Sequence, residues 1–249
     1  MLKGYFRGIK AYAGTFGIIY KLGLWRYFFV PIILSVFIAF LIGFSAWGLS
    51  DNLGGWIAQI WPWEWGSHTF RTVSDVLGGL AIITLGLIAY KHIVMALSAP
   101  FMGAVSEKIE AHFHEDTSNK SQSSFIQLLW RGIRVNLRNL LMELLLSIPI
   151  LIIGFIPFVG FISTPLLFLV QAYYAGFGNM DYTLERHLDY ARSIPFVKSN
   201  RGIAMGNGTI FMLLLLVPVL GLILVLPLSV TAASVSTLEL LHPKKTPSV

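Results

Sequence analysis

Residues 156–165 read IPFVGFISTP and residues 217–227 read VPVLGLILVLP. Both break a long apolar run with a Pro-x-x-Gly step, and both carry a further proline beyond the glycine. Pro157, Gly160 and Pro165 punctuate the first, Pro218, Gly221 and Pro227 the second. A proline inside a helix forfeits a backbone hydrogen bond, and a glycine admits the turn that follows. Length sharpens the point. The run 140–176 has 37 residues with Glu143 as its one charge, so a single helix would measure about 55 Å against a hydrocarbon core of about 30 Å. The run 209–238 has 30 residues. Each is too long for one span and too short for two, which predicts a re-entrant helical hairpin over 140–176 and another over 209–238, with the Pro-x-x-Gly steps at their tips. Thr164 followed by Pro165 reads as the N-cap and first position of a second arm. Proline-kinked helices or two tightly connected short spans are the alternatives.

The rest of the chain fits a membrane protein. Of 249 residues, 55% are hydrophobic and 12% charged, half the charge of an ordinary soluble domain, which carries about 25%; the mean hydropathy is +0.72. There is no cysteine, which excludes disulfides, thiolate metal sites and cysteine nucleophiles. Residues 27–49 carry no charge over 23 positions, enough for a transmembrane helix. A second span over 76–114 is expected to run on into the cytoplasm, because beyond Pro100 it becomes charged and periodic as FMGAVSEKIEAHFHED. Residues 243–249 read as a disordered tail. The whole is expected to be one all-α membrane domain with two long transmembrane helices, two re-entrant hairpins and amphipathic surface helices.

The net charge of +6 is assigned to membrane topology, not nucleic acid. Lys3, Arg7, Lys10, Lys21 and Arg26 precede the first span, Arg71 alone lies between the first two, and the other 12 basic residues follow or end the second. That bias places both termini on the cytoplasmic side. Trp56, Trp61, Trp63 and Trp65 in the outer connection suit an interfacial belt. The helical spacing of Lys3, Arg7 and Lys10, and of Arg131, Arg134 and Arg138, suits surface helices held on anionic lipid.

No hydrolase, dinucleotide or Walker motif is present, so no enzyme, metal or cofactor is expected. EAHFHED reads as a solvated helix end, GIAMGNGT at 202–209 as the loop entering the second hairpin, and Lys91 with His92 as groups reaching the cytoplasmic surface, with a pore-lining role as the alternative. Arg26 stands at the membrane boundary, where a guanidinium can grip an oxyanion through two parallel bonds or simply anchor the span. The second hairpin arms, at Ser163, Thr164 and Pro165 and near Pro227, would aim unpaired N–H groups into the membrane, where anions are favoured. The scarcity of acids in the apolar runs argues against a cation pathway.

Four stretches carry a resemblance: GLWRYFFVPIIL at 23–34, SAPFMGAVSEKIE at 98–110, NMDYTLERH from 179 and VPVLGLILVLPLSVTAA from 217. They resemble the CysZ sulfate permease and etoposide-induced protein family. The resemblance implies two long transmembrane helices with two hemi-penetrating helix pairs, homo-oligomeric assembly, and import of sulfate across a bacterial inner membrane for cysteine synthesis. It also implies that Gly23, Leu24 and Arg26 correspond to the family's Gly-Leu-Arg anion-binding motif. Trp25 departs from it, standing where relatives commonly have the first of two adjacent arginines, which halves the local charge. Two other functions fit the same residues: a non-transporting scaffold that binds lipid or protein partners, and a proton-coupled transporter titrating Lys91, His92 or Glu143.

Overall fold

The computed structural model describes residues 1–59, 67–113, 123–154, 160–217 and 220–242. These form nine helices and no strand: α1 (Leu2–Lys10), α2 (Thr15–Lys21), α3 (Trp25–Ala58), α4 (Ser67–Phe113), α5 (Phe125–Gly154), α6 (Gly160–Leu184), α7 (Tyr190–Ser199), α8 (Arg201–Leu215) and α9 (Leu220–Leu241). Within α3, α4, α5, α6 and α9 lie five segments long and apolar enough to cross a membrane. Pro157, Pro218, Trp61, Trp63, Trp65 and the tail 243–249 lie outside the described residues.

Contacts divide the chain into two compact units. The smaller, Leu34–Lys91, holds most of α3 and the first half of α4, and there Gly86 faces Ile42. The larger, Met1–Ile33 with His92–Val249, holds everything else. Its core joins Val135 of α5 to Phe177, Met180 and Leu184 of α6, Val197 of α7, Ile203 and Ala204 of α8, and Ala233 of α9.

Each apolar run does reverse direction. Arg131 meets Asp181, Asn139 meets Tyr174, and Gly154 faces Ser163, so α5 and α6 converge antiparallel on their connection. In the second pair Asn207 meets Ser229 and Gly221 faces Leu214. The arms are longer than the apolar runs, because a helix supplies its own backbone hydrogen bonds and continues into polar sequence where hydropathy stops marking it. The same reason carries the first span from 27–49 to Trp25–Ala58 and the second from 76–114 to Ser67–Phe113. Two local expectations are corrected. The second arm starts at Gly160, so Thr164 is no N-cap and Pro165 lies within α6. GIAMGNGT is not a loop: it forms most of α8.

Its glycines explain why. Gly176 of α6 lies against the carbonyl of Ala204, and Gly208 of α8 against that of Ala172, so the two backbones touch with no side chain between them. Small residues four apart on both helices permit this approach, the usual packing device where lipid removes the hydrophobic drive for association. Along this crossing Asn179 donates to Asn207 at 2.9 Å, and Asn207 donates to the Ser229 carbonyl at 3.0 Å.

The outer faces are apolar. Phe29, Phe37, Phe40 and Phe44 of α3 and Leu141, Leu145, Ile148 and Ile152 of α5 are exposed, as expected of helices bathed in hydrocarbon.

Candidate functional site

Gly23, Leu24 and Arg26 form one local device. Helix α2 is C-capped by Leu22, Gly23 takes φ +60°, and the Leu24 N–H reaches back to the Ile19 carbonyl at 3.0 Å while that of Gly23 reaches Tyr20 at 3.2 Å. This is a Schellman closure, with glycine at its left-handed position. Leu24 and Ile19 are fully buried. Gly23 and Leu24 thus shape the turn that delivers Arg26 to the first turn of α3, whose leading amides have no intrahelical acceptors. Arg26 is exposed and makes no ion pair among the described residues; its guanidinium donates to the Tyr27 hydroxyl at 3.3 Å and lies 5.0 Å from that ring's centre. The Lys108 ammonium sits 5.3 Å from the same centre. A second cation therefore stands close to Arg26, a pairing the sequence could not reveal at a separation of 82 positions.

The other expected pathway residues are placed differently. Lys91 and His92 do not reach a surface, each being 2% exposed. His92 Nε2 lies 3.0 Å from Glu143 Oε2, tying α4 to α5. Burial of an imidazole and a carboxylate together is tolerated because each neutralises or hydrogen-bonds the other. Ser163 is buried beside Gly154, whereas Thr164 is exposed. No hydrogen bond or ion pair joins Arg26 to Ser163, Thr164 or His92 among the described residues.

Sequence reasoning also missed a charged network. Glu110, read as part of a solvated helix end, is fully buried: Arg186 donates to its Oε2 through Nε and Nη2 at 3.2 and 3.0 Å, and His187 Nε2 lies 3.0 Å from its Oε1. Arg186 further donates to the Gly103 carbonyl and Ser106, and Ser106 meets Thr183 at 2.7 Å. Glu110, His187 and His242 bring their ligand atoms within 4.8 Å of one another, but Arg186 already neutralises the carboxylate on which a cation would depend. The arginines of α5 are likewise not simple lipid anchors. Arg131 grips Asp181 with two bonds of 3.0 and 2.9 Å and donates to the Leu188 carbonyl at 2.7 Å; Arg134 lies 4.0 Å from the Tyr190 ring centre. The available signal was the spacing of Asn179 and Thr183, which puts two polar groups on one face of α6, with Arg186 just beyond its end.

Beside this network Glu185 faces Gly103. Burial pushes its carboxyl up to about 8; Arg186 and Arg131 oppose the shift, while Asp181 and Glu107 add to it. Between its unfolded and folded pKa such a carboxyl takes up a proton on folding. Its favourable effect is therefore complete below the unfolded value of 4.5 and is lost as pH rises to about 8. The thermal midpoint in detergent is expected to fall between pH 5 and 8, and Glu185→Gln to flatten that fall.

Five helices long and apolar enough to cross a membrane define a multi-pass helical membrane protein. The chain belongs to the family described as sulfate transporter CysZ/etoposide-induced protein 2.4, whose model matches residues 11–225. Among its relatives are proteins named sulfate transporter CysZ. That of Pseudomonas aeruginosa (strain LESB58) is 26% identical over 223 residues, covering 87% of this chain and 88% of its own. That of Pectobacterium atrosepticum (strain SCRI 1043) is 26% identical over 240 residues, covering 90% and 84%. That of Pseudomonas syringae pv. tomato is 28% identical over 173 residues, covering 67% and 68%.

Proposed function

We propose that this chain is a permease that imports sulfate, or an oxyanion like it, across the bacterial inner membrane for sulfur assimilation and cysteine synthesis. The observation that carries the reading is Arg26, held at the start of α3 with no carboxylate partner among the described residues and with Lys108 beside the same tyrosine, in a chain whose relatives are named sulfate transporters. A tetrahedral dianion there would meet a forked donor, an ammonium and the amides of a helix N-terminus. Binding must also be weak enough to allow release.

In this reading both termini face the cytoplasm and the whole chain acts as one membrane domain. The helix pairs enter as re-entrant hairpins. Beyond Glu143, α5 has only 11 uncharged residues, from Leu144 to Gly154, or about 16 Å, half the hydrocarbon core. The tips would then lie near mid-membrane, where Ser163 and backbone donors line the anion's path. The exposed faces of α3 and α5 would meet lipid or further copies in a homo-oligomer.

Labelled sulfate uptake into proteoliposomes tests the proposal. Arg26→Ala is expected to weaken the apparent affinity at least about tenfold, as loss of a charge-assisted hydrogen bond of roughly 1.5–3 kcal/mol requires, and Lys108→Ala to weaken it less. Uptake no higher than in empty vesicles, with folding verified, would favour the scaffold function. The buried His92–Glu143 pair favours proton coupling as a second reading. In that case an imposed pH gradient drives uptake, and His92→Gln removes that dependence.

A further inference from the structure

A cavity of about 530 Å³ lies among α5, α6, α7 and α8, and Arg26, Lys108 and Ser163 are not among the residues that line it. Arg138, Lys198 and Arg201 line it together with the Tyr173 and Tyr174 side chains, and no carboxylate does so among the described residues. Three cations from three helices thus share one lining. Arg138 is turned inward, 5.3 Å from the Phe177 ring centre and donating to Asn139 at 3.1 Å, while Lys198 and Arg201 are exposed.

Leu146, Leu166, Leu169 and Val170 add an aliphatic wall, and Met1 and Met205 complete the lining. Its position along the hairpin matters more than its composition. From Arg138 to Leu146 the groove advances eight residues along α5 toward the connection, or about 12 Å, and from Tyr173 to Leu166 it advances the same way along α6. Charge sits at the open end of the hairpin and hydrocarbon toward its tip. Leu146 and Leu166 are each 46% exposed, so the wall opens onto the apolar exterior of the bundle. A small hydrophilic oxyanion would use the cations and leave that wall bare. A ligand with a phosphate at one end and hydrocarbon at the other uses both.

We propose that this cavity binds one anionic glycerophospholipid, its phosphate held by Arg138, Lys198 and Arg201 and an acyl chain lying along Leu146, Leu166, Leu169 and Val170. Charge complementarity selects an anionic headgroup over a zwitterionic one, since the ammonium of a choline lipid would face the same three cations. The occupant links α5 and α6 to α7 and α8 from outside the protein core, and so stabilises their arrangement by binding only the folded state.

The test uses the full chain purified in a neutral detergent, with sulfate absent. Thermal unfolding is followed against added dioleoylphosphatidylglycerol, dioleoylphosphatidylcholine, glycerol 1-phosphate and inorganic phosphate, and bound lipid is counted by native mass spectrometry. Phosphatidylglycerol is expected to raise the midpoint saturably with one lipid retained, and the other three to leave it unchanged at the same concentration. Lys198→Gln with Arg201→Gln, both at exposed positions, is expected to weaken the phosphatidylglycerol effect about fivefold per cation removed, from roughly 1 kcal/mol each. Leu169→Asn is expected to weaken it while leaving the choice of headgroup intact. An equal response to glycerol 1-phosphate or inorganic phosphate would overturn the proposal in favour of a free oxyanion site, and so would an unchanged response in the double variant. Because the readout is binding and not flux, it stands or falls separately from the permease reading.

Discussion

Gly208→Ala and Gly176→Ala are each expected to destabilise the bundle by about 3 kcal/mol or more, at the upper end of what overpacking costs. At both positions an added methyl would collide with a carbonyl of the facing helix: Ala172 opposite Gly208, Ala204 opposite Gly176. A flexible side chain could step aside, but a helical carbonyl moves only with its helix. Separating α6 from α8 would also stretch the bond between Asn179 and Asn207 and leave buried amides without partners. Thermal midpoint and monodispersity in detergent measure the effect. Gly43→Ala is the control, since nothing lies within 4 Å of its added methyl, and it is expected to stay within about 0.5 kcal/mol of the native chain. Equal behaviour of Gly43 and Gly208 variants would remove close backbone contact as the reason for α8's glycines.

Glu110→Ala is expected to cost about 3–5 kcal/mol, because it strands the Arg186 guanidinium, itself only 1% exposed, without its anion. Glu185 lies nearby, 3.8 Å from Arg186 Nη1, but burial raises the pKa of its carboxyl and so weakens it as a substitute anion. Arg186→Met is expected to be comparably harmful, leaving Glu110 with His187 alone. Combining Glu110→Leu with Arg186→Met should recover much of the loss, since replacing a buried ion pair by packed apolar groups is often nearly neutral. A double variant no better than the sum of the singles would show that the network's hydroxyl links, through Ser106 and Thr183, matter more than its charges. Double-mutant thermal unfolding decides between the two.

The sequence by itself determined the class, the number of reversing apolar runs and the family. Those features rest on local chemistry: hydropathy summed along a run, proline and glycine where a helix must break, and motifs read within a dozen residues. Gly23 and Leu24 entered only through the family's anion-binding motif, and the helix-ending turn they build was not read from the sequence. Reading GIAMGNGT as a loop failed because glycine's poor helix propensity was weighed without the facing helix, whose contact repays it. Lys91, His92 and Glu110 were read as reaching water because their partners, Glu143 and Arg186 in the two described cases, lie 51 and 76 positions away. Only the tertiary structure decided which charges are buried and paired, that Lys108 joins Arg26, and that Arg138, Lys198 and Arg201 share one cavity. Pairing energies depend on distances that only the packing of the helices sets.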